Sequence, residues 1–202
     1  RFNSLIRKLP AVETLGSVTY ICTDKTGTLT KNKMYAEQVF VNKKLYERNS
    51  LSPIKDQEEV MLLLHAFALN NDAVEDGEKI IKGDSTEIAL MEVAREQNIS
   101  PSVWPRLAEL VFDADRKLMT TFHPYGDKII SFTKGAPDIL LTRCVNINID
   151  ELQQQVDKMA AKGQRVLGFA YRYWDSLPVT TDSELHEYDL QFLGLAGIID
   201  PP

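Results

Sequence analysis

Apolar residues along this chain switch between two periods, and the switches outline its elements. Val18-Thr19-Tyr20-Ile21-Cys22-Thr23 is β-branched and aromatic without charge, the pattern of a buried parallel strand whose carboxyl end delivers Asp24 into a crevice. Gly27 lets the backbone turn away at once. The stretch Val39-Phe40-Val41 predicts another strand, and a polar connection through Ser52-Pro53 leads to a helix in which Val60, Leu63, Leu64 and Phe67 recur at helical spacing. Asp56, Glu58 and Glu59 fall near its N-terminus, where the helix dipole favours acids. Asn70-Asn71-Asp72 ends it, and Glu75-Asp76-Gly77 connects to Lys82-Gly83-Asp84-Ser85-Thr86-Glu87, the opening of a second helix that runs to about Asn98. Asp84 and Glu87 have the spacing of a capping box.

Beyond that helix, Leu107 to Lys134 reads as two or three antiparallel strands, with the tightest turn at Pro124-Tyr125-Gly126-Asp127. Lys134-Gly135-Ala136-Pro137 follows the strand Ile129 to Thr133 and starts a helix, with Pro137 suited to its first turn. Asp150 is expected to cap a helix through Lys162 that Gly163 stops, and Gln164 to Ala170 is the next strand. The last strand, Leu190 to Ile199, is apolar enough to lie centrally in a sheet.

Composition narrows the function classes. A net charge of −6 and a pI near 5.2 argue against a nucleic-acid scaffold and favour a small anion bound locally. The longest apolar segment, Val60 to Leu69, is interrupted by His65 and is too short to span a bilayer. His65 reads as a packed structural residue, and Cys22 and Cys144 as buried free thiols in a reducing compartment, without metal-ligand spacing. There are no repeats and no low-complexity segment, but the organisation changes after Lys33, as though a second domain were inserted there. Both ends look cut: Arg1 is not an initiating Met, and the last residues are Asp200-Pro201-Pro202.

The chemistry concentrates in Asp24-Lys25-Thr26-Gly27-Thr28-Leu29-Thr30, one carboxylate at a strand tip followed by small hydroxylated residues. A carboxylate can attack phosphorus when the incoming negative charge is neutralised, and Lys25 and a magnesium ion are the natural neutralisers. No glycine-rich phosphate loop of either common spacing occurs, so such a loop offers no competing explanation for phosphate chemistry at Asp24. Taken by itself, Phe112 would be a core residue, Arg165 a surface residue and Glu87 a capping residue.

The heptapeptide, together with Leu9-Pro10-Ala11-Val12-Glu13-Thr14-Leu15-Gly16, resembles the phosphorylation site of type II P-type cation-transporting ATPases, most of all the calcium-type members. Three later segments agree. Lys82-Gly83-Asp84-Ser85-Thr86-Glu87 is similar to the family's Gly-Asp-Pro-Thr-Glu motif, with Ser85 in place of proline. Phe112-Asp113-Ala114-Asp115-Arg116-Lys117 resembles the segment whose aromatic ring stacks on adenine, although Ala114 stands where some animal calcium pumps carry arginine. Lys134-Gly135-Ala136-Pro137 matches Lys-Gly-Ala-Pro-Glu, with Asp138 in place of glutamate.

The resemblance implies an α/β architecture: residues 1–33 begin a haloacid-dehalogenase-like parallel-sheet phosphorylation domain, 34–196 form a nucleotide-binding domain with an antiparallel sheet flanked by helices, and 197–202 return to the first. It implies that Asp24 is phosphorylated from ATP with Lys25 and Thr26 beside it, that Asp24 and the Thr26 carbonyl supply part of a Mg2+ site, and that Glu87, Phe112, Lys117, Lys134, Gly135 and Arg165 hold the nucleotide. Related phosphatases carry a second aspartate where Thr26 stands; threonine cannot activate water at neutral pH, so the acyl phosphate would persist. The Thr-Gly-Asp and Gly-Asp-Gly-x-Asn-Asp segments that complete the family's magnesium site do not occur in these 202 residues. The expected chain is therefore a cytoplasmic, soluble piece of a membrane cation pump that binds ATP without efficient turnover, partnered by the remaining phosphorylation, actuator and membrane domains. Its domains would close about hinges near Asn32-Lys33 and Gly194 to Gly197. The alternatives are a free-standing haloacid-dehalogenase-type phosphatase and a non-catalytic nucleotide-binding module.

Overall fold

Successive residues of a strand face opposite ways, so in β1 (Tyr35–Val41) Val39 and Val41 enter one side of a sheet while Phe40 enters the other. The structure, a computed structural model, describes residues 17, 19–20, 33–76, 79–178 and 186–201. After β1 come β2 (Lys44–Glu47), helix α1 (Glu58–Leu69), β3 (Val74–Asp76), β4 (Lys79–Lys82) and helix α2 (Ser85–Glu96). Then follow β5 (Ala108–Asp113), β6 (Leu118–Tyr125), β7 (Lys128–Gly135), helices α3 (Pro137–Arg143) and α4 (Ile149–Ala160), β8 (Arg165–Trp174) and β9 (Gln191–Ile199).

Seven strands form one sheet in the order β2-β1-β9-β8-β7-β6-β5, with every neighbouring pair antiparallel. Side chains on its two faces make two cores. Val39, Val41, Ile130, Phe132, Phe169, Ala196 and Ile198 pack under α1 and α2. Phe40 and Leu195 pack with Leu141, Leu152 and Met159, and Leu118 and Ala170 pack with Leu140, all under α3 and α4. Helix α1 packs against both the sheet and α2 and is buried nearly all round from Val60 onward; its Phe67 meets Phe169 edge-on at 4.8 Å between ring centroids. His65 stacks on Trp104 at 4.5 Å and its Nδ1 lies 2.8 Å from the Met61 carbonyl, the packed role expected of it.

Several expectations need correction. The stretch from Glu75 onward is a small antiparallel hairpin, β3–β4, rather than a plain connection. Asn148, not Asp150, caps α4: its side chain accepts from the Glu151 amide at 3.2 Å, and the helix ends at Ala160, before the turn that reaches Gly163. The hinge expected at Gly194 to Gly197 falls inside β9, which is bonded to β1 and β8 on its two sides. A Cβ at Gly194 would come within 2.4 Å of the Phe40 carbonyl, and one at Gly197 within 2.2 Å of the Gln164 side chain, so close approach explains these glycines. β9 runs through the expected domain edge at 196 and pairs Ile199 with Tyr35, so the entry to the sheet and its exit are adjacent. Asp24, Lys25, Thr26 and Cys22 lie outside the described residues; of the buried strand expected at Val18 to Thr23 only Thr19 and Tyr20 are described, and they form a bend and irregular backbone, with Tyr20 exposed, rather than a buried strand.

Candidate functional site

The end of α1, the start of α2 and the β5, β6, β7 and β8 strands meet around a cavity of about 460 Å³ on the α1/α2 face of the sheet. Glu87, Phe112, Lys134, Gly135 and Arg165 line it together with Asp72, Asp84, Thr86, Leu90, Met119 and Leu167. Sheet register supplies the floor, because Met119 is the partner of Lys134 in β6–β7 and Lys134 the partner of Phe169 in β7–β8.

Lys134 is the buried charge of the site, only 7% exposed. Its Nζ donates to the Asn70 carbonyl at 2.7 Å and to Glu87 Oε1 at 2.5 Å. Burial holds the ammonium below its ordinary titration range, and the Glu87 carboxylate opposes that shift. Glu87 sits in the first turn of α2, where the dipole favours its charge. Asp84 caps α2, its Oδ1 accepting from the Thr86 amide at 2.8 Å, but the Glu87 side chain reaches Lys134 instead of closing the expected capping box.

Phe112 is 60% exposed although its strand is part of the sheet, which corrects its reading as a core residue. An aromatic face open to a cavity that also holds a buried cation can stack on a flat heterocycle. Arg165 opens β8, is exposed, and donates to Thr86 Oγ1 at 3.3 Å, so its guanidinium stays available at the rim. Gly135 is required by close packing, since a Cβ there would lie 2.1 Å from the Lys117 carbonyl. Lys117 is not among the cavity-lining residues; its Nζ lies 3.3 Å from Asp138 in the first turn of α3, and both side chains are largely exposed.

Sequence reading overlooked the polar scaffold under this site. Asn70 and Asn71 are buried at the end of α1. Asn70 Nδ2 donates to the Met119 and Phe132 carbonyls, tying the helix to β6 and β7. Asn71 Nδ2 donates to the Phe67 and Glu87 carbonyls and its Oδ1 accepts from the Ala73 amide, which anchors the start of α2. Arg106 donates to Asp72 at 2.7 Å, to Glu109 at 2.6 Å and to the Asn71 carbonyl at 2.6 Å. The only hint was a pair of asparagines at a helix end, which elsewhere is a solvated cap. Among the described residues no group of three or more His, Cys, Asp or Glu side chains could hold a metal ion, and no helix is long and apolar enough to cross a membrane.

A helix-flanked antiparallel sheet with a half-open pocket, carrying one exposed ring, one buried cation and a rim arginine, defines an α/β ligand-binding domain. The family described as "P-type ATPase, cytoplasmic domain N" matches residues 59–202, and the chain belongs to it. It is 41% identical over 216 residues to Calcium-transporting ATPase 1 of Bacillus cereus, covering 99% of this chain and 24% of that protein. It is 38% identical over 221 residues to Calcium-transporting ATPase 1 of Lactococcus lactis, covering 99% and 24%. Potassium-transporting ATPase alpha chain 2 of Homo sapiens is 30% identical over 250 residues, covering 99% and 23%. The chain thus spans about a quarter of the length of these relatives.

Proposed function

We propose that this chain is the ATP-binding cytosolic portion of a membrane cation pump, with calcium as the transported ion. The observation that carries the reading is the convergence, from separate elements, of an exposed Phe112 ring, the buried Lys134–Glu87 pair and the Arg165 guanidinium around one cavity. Adenine stacks on Phe112, Glu87 accepts from its exocyclic amine, and Lys134 and Gly135 form the floor, while Arg165 meets phosphate oxygens at the rim. Lys117 assists from its exposed position by reorienting away from Asp138. The names of the bacterial relatives favour calcium over potassium.

The residues before β1 and after β9 then belong to a haloacid-dehalogenase-like phosphorylation domain, and the seven-stranded sheet with its helices to the nucleotide-binding domain. Closure of the two brings the γ-phosphorus to Asp24. A carboxylate oxygen of Asp24 forms the new bond to phosphorus, the bond to the β–γ bridging oxygen breaks, and ADP leaves with that electron pair. Lys25 offsets the charge on the transferring group, and Thr26 contributes its carbonyl beside Asp24. Magnesium, when bound, would neutralise phosphate charge, with Asp24 and the Thr26 carbonyl among its oxygen ligands. The segments with the other expected ligands do not occur in these residues, so the chain alone binds ATP and the rest of the polypeptide is needed for turnover.

Two measurements test this. Calorimetric titration of the chain should show ATP binding that Phe112→Ala weakens for ATP and adenosine alike; an unaltered affinity in a folded variant would sink the stacking assignment. In the full-length pump, labelled ATP should leave an acid-stable, hydroxylamine-sensitive phosphoryl group that Asp24→Asn abolishes. Absence of that adduct from the unaltered pump refutes the assignment of Asp24.

A further inference from the structure

Phe112 stands where the sheet gives it least support. Register between β5 and β6 lapses from Leu110 to Asp113, so Val111 and Phe112 have no Cα partner in the ladder. The ring is mostly exposed, and packing does not hold it. Both of its chain neighbours, however, are held by Arg116. Arg116 Nη2 donates to the Val111 carbonyl at 2.7 Å, and the Arg116 amide donates to Asp113 Oδ1 at 3.0 Å, joined there by the Asp115 amide at 3.0 Å.

What fixes Arg116 is a buried carboxylate from far along the chain. Glu187 is 2% exposed, accepts from Arg116 Nη1, and accepts from Thr120 Oγ1 at 2.8 Å; Thr120 Oγ1 is also 2.9 Å from Thr133 Oγ1 in β7. Lys134 and Met119 of the cavity are the chain neighbours of those two threonines. A carboxylate taken out of water in this way is stable only while its partners stay in place, so the pair resists displacement of the turn it anchors.

We infer that Glu187 is a positioning residue for base stacking: through Arg116 it locks the β5–β6 turn so that Phe112 presents its ring to the cavity. The inference rests on the reading of that cavity as a nucleotide site. Glu187 touches no ligand in this scheme. It lowers the ordering cost of stacking by holding the ring's backbone in the bound position beforehand.

The test is a double-variant cycle with ATP and with inorganic tripolyphosphate, a probe that has the phosphates but no base. Glu187→Gln should weaken ATP about threefold to tenfold, leave tripolyphosphate unchanged, and cause no further loss in a Phe112→Ala background. Arg116→Gln, at a partly exposed side chain, should reproduce that base-specific loss and serves if Glu187→Gln does not fold. Unchanged ATP affinity in either variant, or an equal loss for tripolyphosphate and in the Phe112→Ala background, overturns the positioning role. Failure of the unaltered chain to bind ATP overturns the nucleotide reading itself, and the inference with it.

Discussion

Replacing Lys134 by methionine removes one charge from the centre of the site while keeping most of its volume. Glu87 then loses the ammonium at 2.5 Å and the Asn70 carbonyl loses its donor at 2.7 Å. Breaking a buried pair from one side costs about 3–5 kcal/mol, because the remaining charge stays desolvated. Solvent reaches Glu87 more than Lys134, with side-chain exposures of 15% and 9%, and the methionine recovers some packing, which brings the expected loss to about 2–4 kcal/mol. The cost should reside chiefly in the orphaned carboxylate, so Lys134→Met with Glu87→Gln should be more stable than Lys134→Met alone by about 1–2 kcal/mol. Urea unfolding of the chain at pH 7, followed by circular dichroism, measures both, and calorimetry should show that both variants weaken ATP. If Lys134→Met unfolds within about 0.5 kcal/mol of the parent, or the double variant is no more stable than the single one, the pair is not the buried electrostatic element described.

A second charge-linked effect concerns His123, held neutral with Nδ1–H donating to the Pro105 carbonyl and Nε2 accepting from Thr121 Oγ1. Burial pushes its pKa from 6.5 down to about 4, so below pH 6.5 the unfolded chain binds a proton that the folded one refuses. Stability should fall by about 3 kcal/mol as pH drops from near 6.5 to near 4, and His123→Gln should lack that part of the slope; parallel curves in a pH series of urea melts would refute it. Gly135→Ala should cost about 1–3 kcal/mol and weaken ATP, because its Cβ can clear the Lys117 carbonyl only if β6 and β7 separate beside Lys134. A thermal melt matching that of the parent would show that the strands yield without cost.

Where polar and apolar residues repeat at a fixed period, the sequence by itself determined the element. The strands around Phe40, Phe132, Phe169 and Leu195 and the helices from Glu58 and Ser85 follow from local patterning, and Pro137 starts α3 because its fixed φ suits a first turn. The residue types at the site were legible for the same reason, since lysine beside glycine at a strand end and an acid in a helix's first turn are local features. Short, charged β3 and β4 carry no alternation to read, and Asn148 and Asp150 are both good caps, so only the backbone's departure from helical angles decided between them. Tertiary structure alone decided which polar groups became buried partners. Glu87 meets Lys134 across 47 positions, Asn70 meets Phe132 across 62, and Arg116 meets Glu187 across 71. Each of the polar side chains in these pairs is locally an ordinary solvated one. Antiparallel packing of distant strands removes water from all of them at once, and the loss of water makes each pairing obligatory.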